Sequence, residues 1–209
     1  MEKKPLTKRN FKAIKTKETL INASLQLINQ YGYENVTVND ICKYCGVSKG
    51  SFYYHFKSKE DILTDREFKV NNTFNLSGLK DSKSDITEKL AAFLLAQIEA
   101  LEQSGFGITR QRTIYIMGGE YISDIDEFSS PVYQRKILTA IIENEIKEGN
   151  LVDTVPVSDI IDLVIIFRTG IVAEWCMLGG TYSMLEKAKR LTHNYIEDIL
   201  QRYRPNKQI

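Results

Sequence analysis

Tryptophan, histidine, cysteine and proline are all scarce in these 209 residues, which hold 1, 2, 3 and 4 of them. Three cysteines without an export signal point to reduced thiols in a cytoplasm and give no disulfide framework. With 12 glycines and 4 prolines there is no low-complexity or collagen-like tract, and no repeat of 20–50 residues is visible. Long hydrophobic runs are missing too. The most apolar stretch, Ile160 to Gly180, is interrupted by Asp162, Arg168 and Glu174, whereas a membrane span needs about 20 predominantly apolar residues. The first residues, MEKKPLTKRNFKAIKTK, are basic but no apolar segment follows, so no secretion signal is expected. What remains is the composition of a soluble globular chain, 43% hydrophobic and 26% charged. That is enough for a core without covalent staples.

An excess of charge of one sign is also absent, since the net charge is +1. The average conceals a division. Residues 1–60 carry 11 lysines and arginines against 5 carboxylates, leaving 17 basic and 22 acidic of the chain's 28 and 27 for residues 61–209. The first part is therefore at +6 and the rest at −5. Such asymmetry points to a basic module that meets a polyanion, joined to an acidic module with another task.

Helical periodicity runs almost throughout. Leu20, Ala23, Ser24, Leu27, Ile28 and Tyr31 recur at three- and four-residue spacing up to Gly32. Thr37 to Asp40 fits a capping box for a short helix to about Tyr44, which Gly46 ends. Ser48 is expected to cap a second short helix to about His55, and Ser58 a longer one towards Phe74. Residues 75–84 read as a turn-rich connection. Further helices are expected over 85–103, 108–128, 130–149 and 158–178 (capped by Ser158), and from Ser183 to Pro205. No strand is convincing, so the fold class is all-α: a small N-terminal unit of three helices and a larger C-terminal bundle.

Residues 37–56, TVNDICKYCGVSKGSFYYHF, have the physics of a helix-turn-helix. Gly46 supplies the permissive backbone between two short helices. Ile41, Val47, Phe52 and Phe56 fall where they can pack on the first helix. The second helix is left with Lys49, Gly50, Ser51, Tyr53, Tyr54 and His55, a donor-rich face that suits a major groove about 12 Å wide.

The stretch GVSKGSFYYHFKSKEDIL resembles the signature of the tetracycline-repressor (TetR) family of bacterial transcription regulators, and the preceding Tyr31-Gly32-Tyr33 and Val36-Thr37-Val38 match it as well. The likeness covers about residues 15–70; beyond them only size and helical order agree. It implies a homodimeric repressor of operator DNA, released by a small apolar or amphipathic effector, with no catalysis, cofactor or metal. The domains would be a basic arm over 1–14, a helix-turn-helix domain over 15–60, and an effector and dimerisation domain over 61–209. By position, Thr37 would hold a phosphate; Lys49, Gly50 and Ser51 would open the recognition helix; Tyr53, Tyr54 and His55 would meet phosphates and base methyls; Lys57 and Lys59 would hold the DNA backbone. Lys49, Ser51 and Tyr53 are the candidates for base readout. The N-terminal lysines and arginine are candidates for a minor-groove arm.

Cys42-Lys-Tyr-Cys45 invites a redox or zinc reading. No βαβ pattern surrounds it and no second ligand pair exists, so packing is the expected role. The family implies dimerisation through about 159–203, and Ile161, Val164, Ile165, Ile171, Val172, Leu185, Leu191 and Ile199 exceed what a lone helical hairpin needs. It also implies a cavity among the aromatic-rich middle helices. Its expected lining is Phe93, Tyr115, Tyr121, Phe167 and Trp175, with Arg168 and Glu174 as polar handles. The alternatives are a C-terminal module that binds a protein, with a filled interior, and a dithiol enzyme without DNA affinity.

Overall fold

A computed structural model describes residues 8–64, 84–118 and 131–205. Within them all regular structure is helical. The first element, α1, spans Lys8–Tyr31. No glycine or proline interrupts those 24 residues, and Leu20, Ile28 and their neighbours give the helix a buried stripe. It begins well before that stripe. The expected arm over 1–14 thus loses residues 8–14 to α1, where Arg9 and Phe11 are exposed, and its first seven residues lie outside the described ones.

The next two helices are α2 (Val38–Cys45) and α3 (Lys49–His55). Thr37 and Asp40 close a full capping box on α2: Thr37 Oγ1 accepts from Asp40 N, and Asp40 Oδ2 accepts from Thr37 N. Gly46 ends α2 at φ +66°, a left-handed turn that a side chain would strain. Val47 N returns to Cys42 O, which completes the stop. Ser48 Oγ then accepts from Ser51 N to start α3. A short α4 (Glu60–Thr64) follows. It is opened by the Asp61 carboxylate, which accepts from the Lys57 and Ser58 amides.

These helices share one core with α6 (Phe106–Met117), in which Leu20, Ile28, Ile41, Phe52, Ile62, Leu63 and Ile108 are fully buried. Each such side chain contributes about 1.5–3 kcal/mol. Residues 8–64 with 104–118 accordingly form one compact unit, and 84–103 with 131–205 the other. A boundary at 60/61 is therefore not where the packing divides, because Ile62, Leu63 and Ile108 complete the first core. Gly105, at φ +88°, opens α6, and a Cβ there would come within 2.6 Å of the Asn29 amide.

The second unit comprises α5 (Ile86–Gln103), α7 (Pro131–Lys147), α8 (Val157–Met177) and α9 (Met184–Leu200), with a final 3-10 turn at Gln201–Tyr203. The pairing is α5 along α9, with α7 and α8 against α5. Leu90, Leu94, Ile98, Leu138, Ile142, Ile196 and Leu200 fill its centre. Lys89 and Glu145, both buried, pair at 2.6 Å, and Glu145 also accepts from Asn150.

Two caps differ from expectation. Ser158 sits inside the first turn of α8, whose cap position is Pro156 with no side-chain bond. Ser183 does accept from Glu186 N, but the carboxylate at the start of α9 is that of Glu102, which accepts from Met184 N at 2.7 Å. No helix among the described residues is long and apolar enough to cross a membrane.

Candidate nucleic-acid interface and effector cavity

On α3 the apolar positions face inward. Phe52 is wholly buried, and Phe56, just past the helix end, is nearly so. Their rings lie 5.5 Å apart, and Tyr53 stands edge-on to Phe52 at 5.4 Å. The outward side carries Lys49, Gly50, Tyr53 and Tyr54, all exposed, with Ser51 and His55 half-buried beside them. Tyr54 is 72% exposed, which removes a core role for it. Its ring meets that of His55 at 4.8 Å. A Cβ added at Gly50 would meet only Ser48 Oγ, at 3.8 Å. Packing within the chain does not demand glycine there.

Two expected phosphate contacts are engaged elsewhere. Thr37 gives its hydroxyl to Asp40 Oδ2 at 2.5 Å and its amide to the same oxygen. The Lys59 ammonium donates to Tyr33 O at 2.7 Å and Val36 O at 2.9 Å, and lies 3.7 Å from the centre of the Tyr33 ring. It ties α4 to the loop before α2. Lys57, by contrast, is exposed. Beneath this face Tyr33 donates its hydroxyl to Glu60 at 2.5 Å. Burial first, then that bond, push the Tyr33 phenol well up, so it stays a donor.

Cys42 is buried, and the Cys45 thiol donates to Thr19 O at 3.6 Å. Burial raises both thiols above the usual range, which disfavours thiolate. Both are free thiols, and among the described residues no cluster of His, Cys, Asp or Glu could hold a metal.

In the second unit a small cavity of about 10 Å³ is lined by Phe93, Leu94 and Gln97 of α5, Gln134 and Leu138 of α7, and Val164, Ile165 and Arg168 of α8. That is room for about one water molecule. Of the seven residues expected at an effector site, Phe93 and Arg168 are there. Arg168 donates to Gln97 Oε1 at 2.6 Å. Phe167 instead stacks on Tyr195 at 4.1 Å. Glu174 pairs with Lys187 and accepts from Tyr182 OH, and Trp175 is buried with its Nε1 on Tyr182 O. Phe167 and Glu174 thus tie α8 to α9, and Trp175 ties it to the turn between them. Tyr115 belongs to the first unit, on α6, and Tyr121 lies outside the described residues. Gln97, which also lines this cavity, was not among the residues expected there. Its signal was a lone amide on the apolar stripe Phe93, Leu94, Ile98 and Leu101 of α5.

Residues 20–65 match the family described as bacterial regulatory proteins, tetR family. Over 190 residues the chain is 25% identical to the HTH-type transcriptional repressor KstR2 of Mycolicibacterium smegmatis, covering 88% of each. Its fold matches that of the fatty acid degradation regulator FadR of Bacillus halodurans, with a TM-score of 0.65 at 18% identity over 87% of this chain and 94% of that one. It also matches FadR of Bacillus subtilis, solved with stearoyl-CoA, with a TM-score of 0.57 at 20% identity over 88% and 97%.

Proposed function

We propose that this chain, whose residues 20–65 match the tetR family of bacterial regulatory proteins, represses transcription as a dimer whose two α3 helices read half-sites one helical turn apart, about 34–36 Å, and that a small molecule held in the second unit releases it. The observation that carries the DNA reading is the outward face of α3, where Lys49, Tyr53 and Tyr54 stand exposed on a helix anchored by buried Phe52. Lys49, Ser51 and Tyr53 are assigned to base edges. Tyr54, His55 and Lys57 are assigned to phosphates, which position the protein and carry little sequence information.

Dimerisation is assigned to α8 and α9. The residues that support it are not the full set expected, because Ile161, Val164, Ile171 and Val172 are buried within the chain itself. Leu163, Ile166 and Met177 form an exposed stripe on α8, around the open position of Gly170, and Leu191 is exposed on α9. Apolar side chains at that spacing suit a partner helix.

The effector is assigned to the cavity between α5, α7 and α8. B. subtilis FadR was solved with stearoyl-CoA, an amphipathic molecule far larger than about 10 Å³. A ligand of that class would enter this cavity only as these helices part, so it would favour an open arrangement over the one that fits DNA. The small size of this cavity among the described residues also suits the rival reading of a module that binds a protein. Calorimetry with small apolar probes separates the two, because that rival predicts no binding.

Selection of bound DNA from a random pool tests the central reading. The expected result is an enriched two-fold-symmetric site, bound at least about tenfold more weakly by a Lys49→Ala, Tyr53→Ala double variant. A pool with no enriched sequence defeats it.

A further inference from the structure

We infer that Gln97 is the recognition point for an oxygen acceptor on the effector, so that the ligand class is an apolar molecule headed by a carbonyl or carboxylate oxygen. This rests on the reading that the second unit takes a small molecule, and it names the chemistry of that molecule.

Gln97 is 4% exposed, in the middle of α5. Its Oε1 accepts from Arg168 Nη1 at 2.6 Å. A guanidinium only donates, so the amide oxygen must face Arg168 and the NH2 must point away from it. That nitrogen, buried as it is, has no hydrogen-bond partner among the described residues. A buried donor left unmade is costly, and native interiors hold few of them.

The surroundings narrow what completes it. Gln97 lines the cavity with Phe93, Leu138 and Val164, which offer apolar surface, and with Arg168, which brings a positive charge. No carboxylate is among the described residues of that lining. A hydrocarbon alone would leave the amide donors unpaired. An ammonium head would add a donor to a donor and meet the guanidinium charge. An oxygen acceptor on an apolar body satisfies Nε2 and is favoured by the field of Arg168. A water molecule would answer the amide equally well but would give the apolar lining nothing, and substitution separates the two.

Gln97→Glu is the diagnostic variant. It keeps an oxygen towards Arg168 and replaces the NH2 donors by a second oxygen. Full-length protein would be titrated calorimetrically with dodecanoate, lauroyl-CoA and γ-dodecalactone, and with dodecylammonium as the control. The expected result is that at least one oxygen-headed probe binds the natural protein and binds Gln97→Glu about tenfold or more weakly, as for the loss of one hydrogen bond, while dodecylammonium gains. Which probe binds tells acid from thioester from lactone. Gln97→Met, of similar length and without donors, is expected to show the same loss for oxygen-headed probes, and it serves if the first variant does not fold. The inference is overturned if no oxygen-headed probe binds, if the variants bind them as the natural protein does, or if all four probes weaken alike. Operator release is measured separately. Gln97-dependent binding without release defeats the effector reading and leaves this inference standing, and release without Gln97 dependence does the reverse.

Discussion

Lys49 and Lys59 have the same side chain and different surroundings. Lys49 stands exposed at the start of α3, where an ammonium can meet a phosphate or a base edge. Lys59 is held by two main-chain carbonyls, 26 and 23 residues earlier in the chain. Replacing each therefore has a different expected outcome. Lys59→Met should lower the unfolding free energy by about 2 kcal/mol, the worth of hydrogen bonds to a charged donor, and leave the salt dependence of DNA binding as it was. Lys49→Ala should leave stability within about 0.5 kcal/mol. If Lys49 meets a phosphate, the salt slope of binding should fall by about 1. Denaturant melts and binding at graded salt check both. The exposed place of Lys49 was legible because it opens a recognisable helix of a motif. The role of Lys59 was not, because carbonyl partners exist at every residue and leave no mark in a sequence.

The short helices of the first unit depend on their ends, since a helix of seven or eight residues has too few internal bonds to persist alone. Ser48→Ala should cost about 1 kcal/mol by removing the bond to Ser51 N. Acid should act on the same ends. The Asp40 carboxyl is held below its usual range, first by the Thr37 side chain and then by its amide. Burial pulls Glu60 upward, but hydrogen bonds from Tyr33, its own amide and Ser58 outweigh it and leave it low. A lowered carboxyl adds stability that is fully present above the ordinary value of about 4 and is lost as pH falls through the lowered one. Melting of the first unit should therefore drop as pH is taken below about 4, and Asp40→Asn should flatten that drop. Thermal midpoints against pH read both. Caps at Thr37 and Ser48 were visible in the sequence because their bonds span three residues. The Glu102 carboxylate at the head of α9 was not, because it lies 82 residues from Met184.

Dimerisation and ligand response belong to the assembled protein. Ile166 is 64% exposed at the middle of the α8 stripe. Ile166→Glu should leave the fold intact and convert the dimer, twice 24.0 kDa, to a 24.0 kDa species in sedimentation at micromolar concentration. Operator affinity should fall with it, because two linked half-sites bind better than one. A dimeric variant would move the interface elsewhere. The effector proposal carries its own symmetry. If a probe weakens operator binding by some factor, operator DNA must weaken the probe by the same factor. Unequal factors would show that release does not arise from one coupled equilibrium.

The all-α class, the helix-turn-helix and the outward face of α3 could all be read from the chain, because periodicity, capping and turn glycines act over a few residues. The charge division between residues 1–60 and the rest was also a property of composition. Tertiary packing alone decided which apolar positions of α8 were surplus. Ile161 and Ile166 share one helix and one chemistry, and only the neighbours folded against them leave the first 3% and the second 64% exposed. The same packing brought Arg168 of α8 to Gln97 of α5. The two lie 71 residues apart, so their meeting depends on how helices cross, which no local pattern encodes.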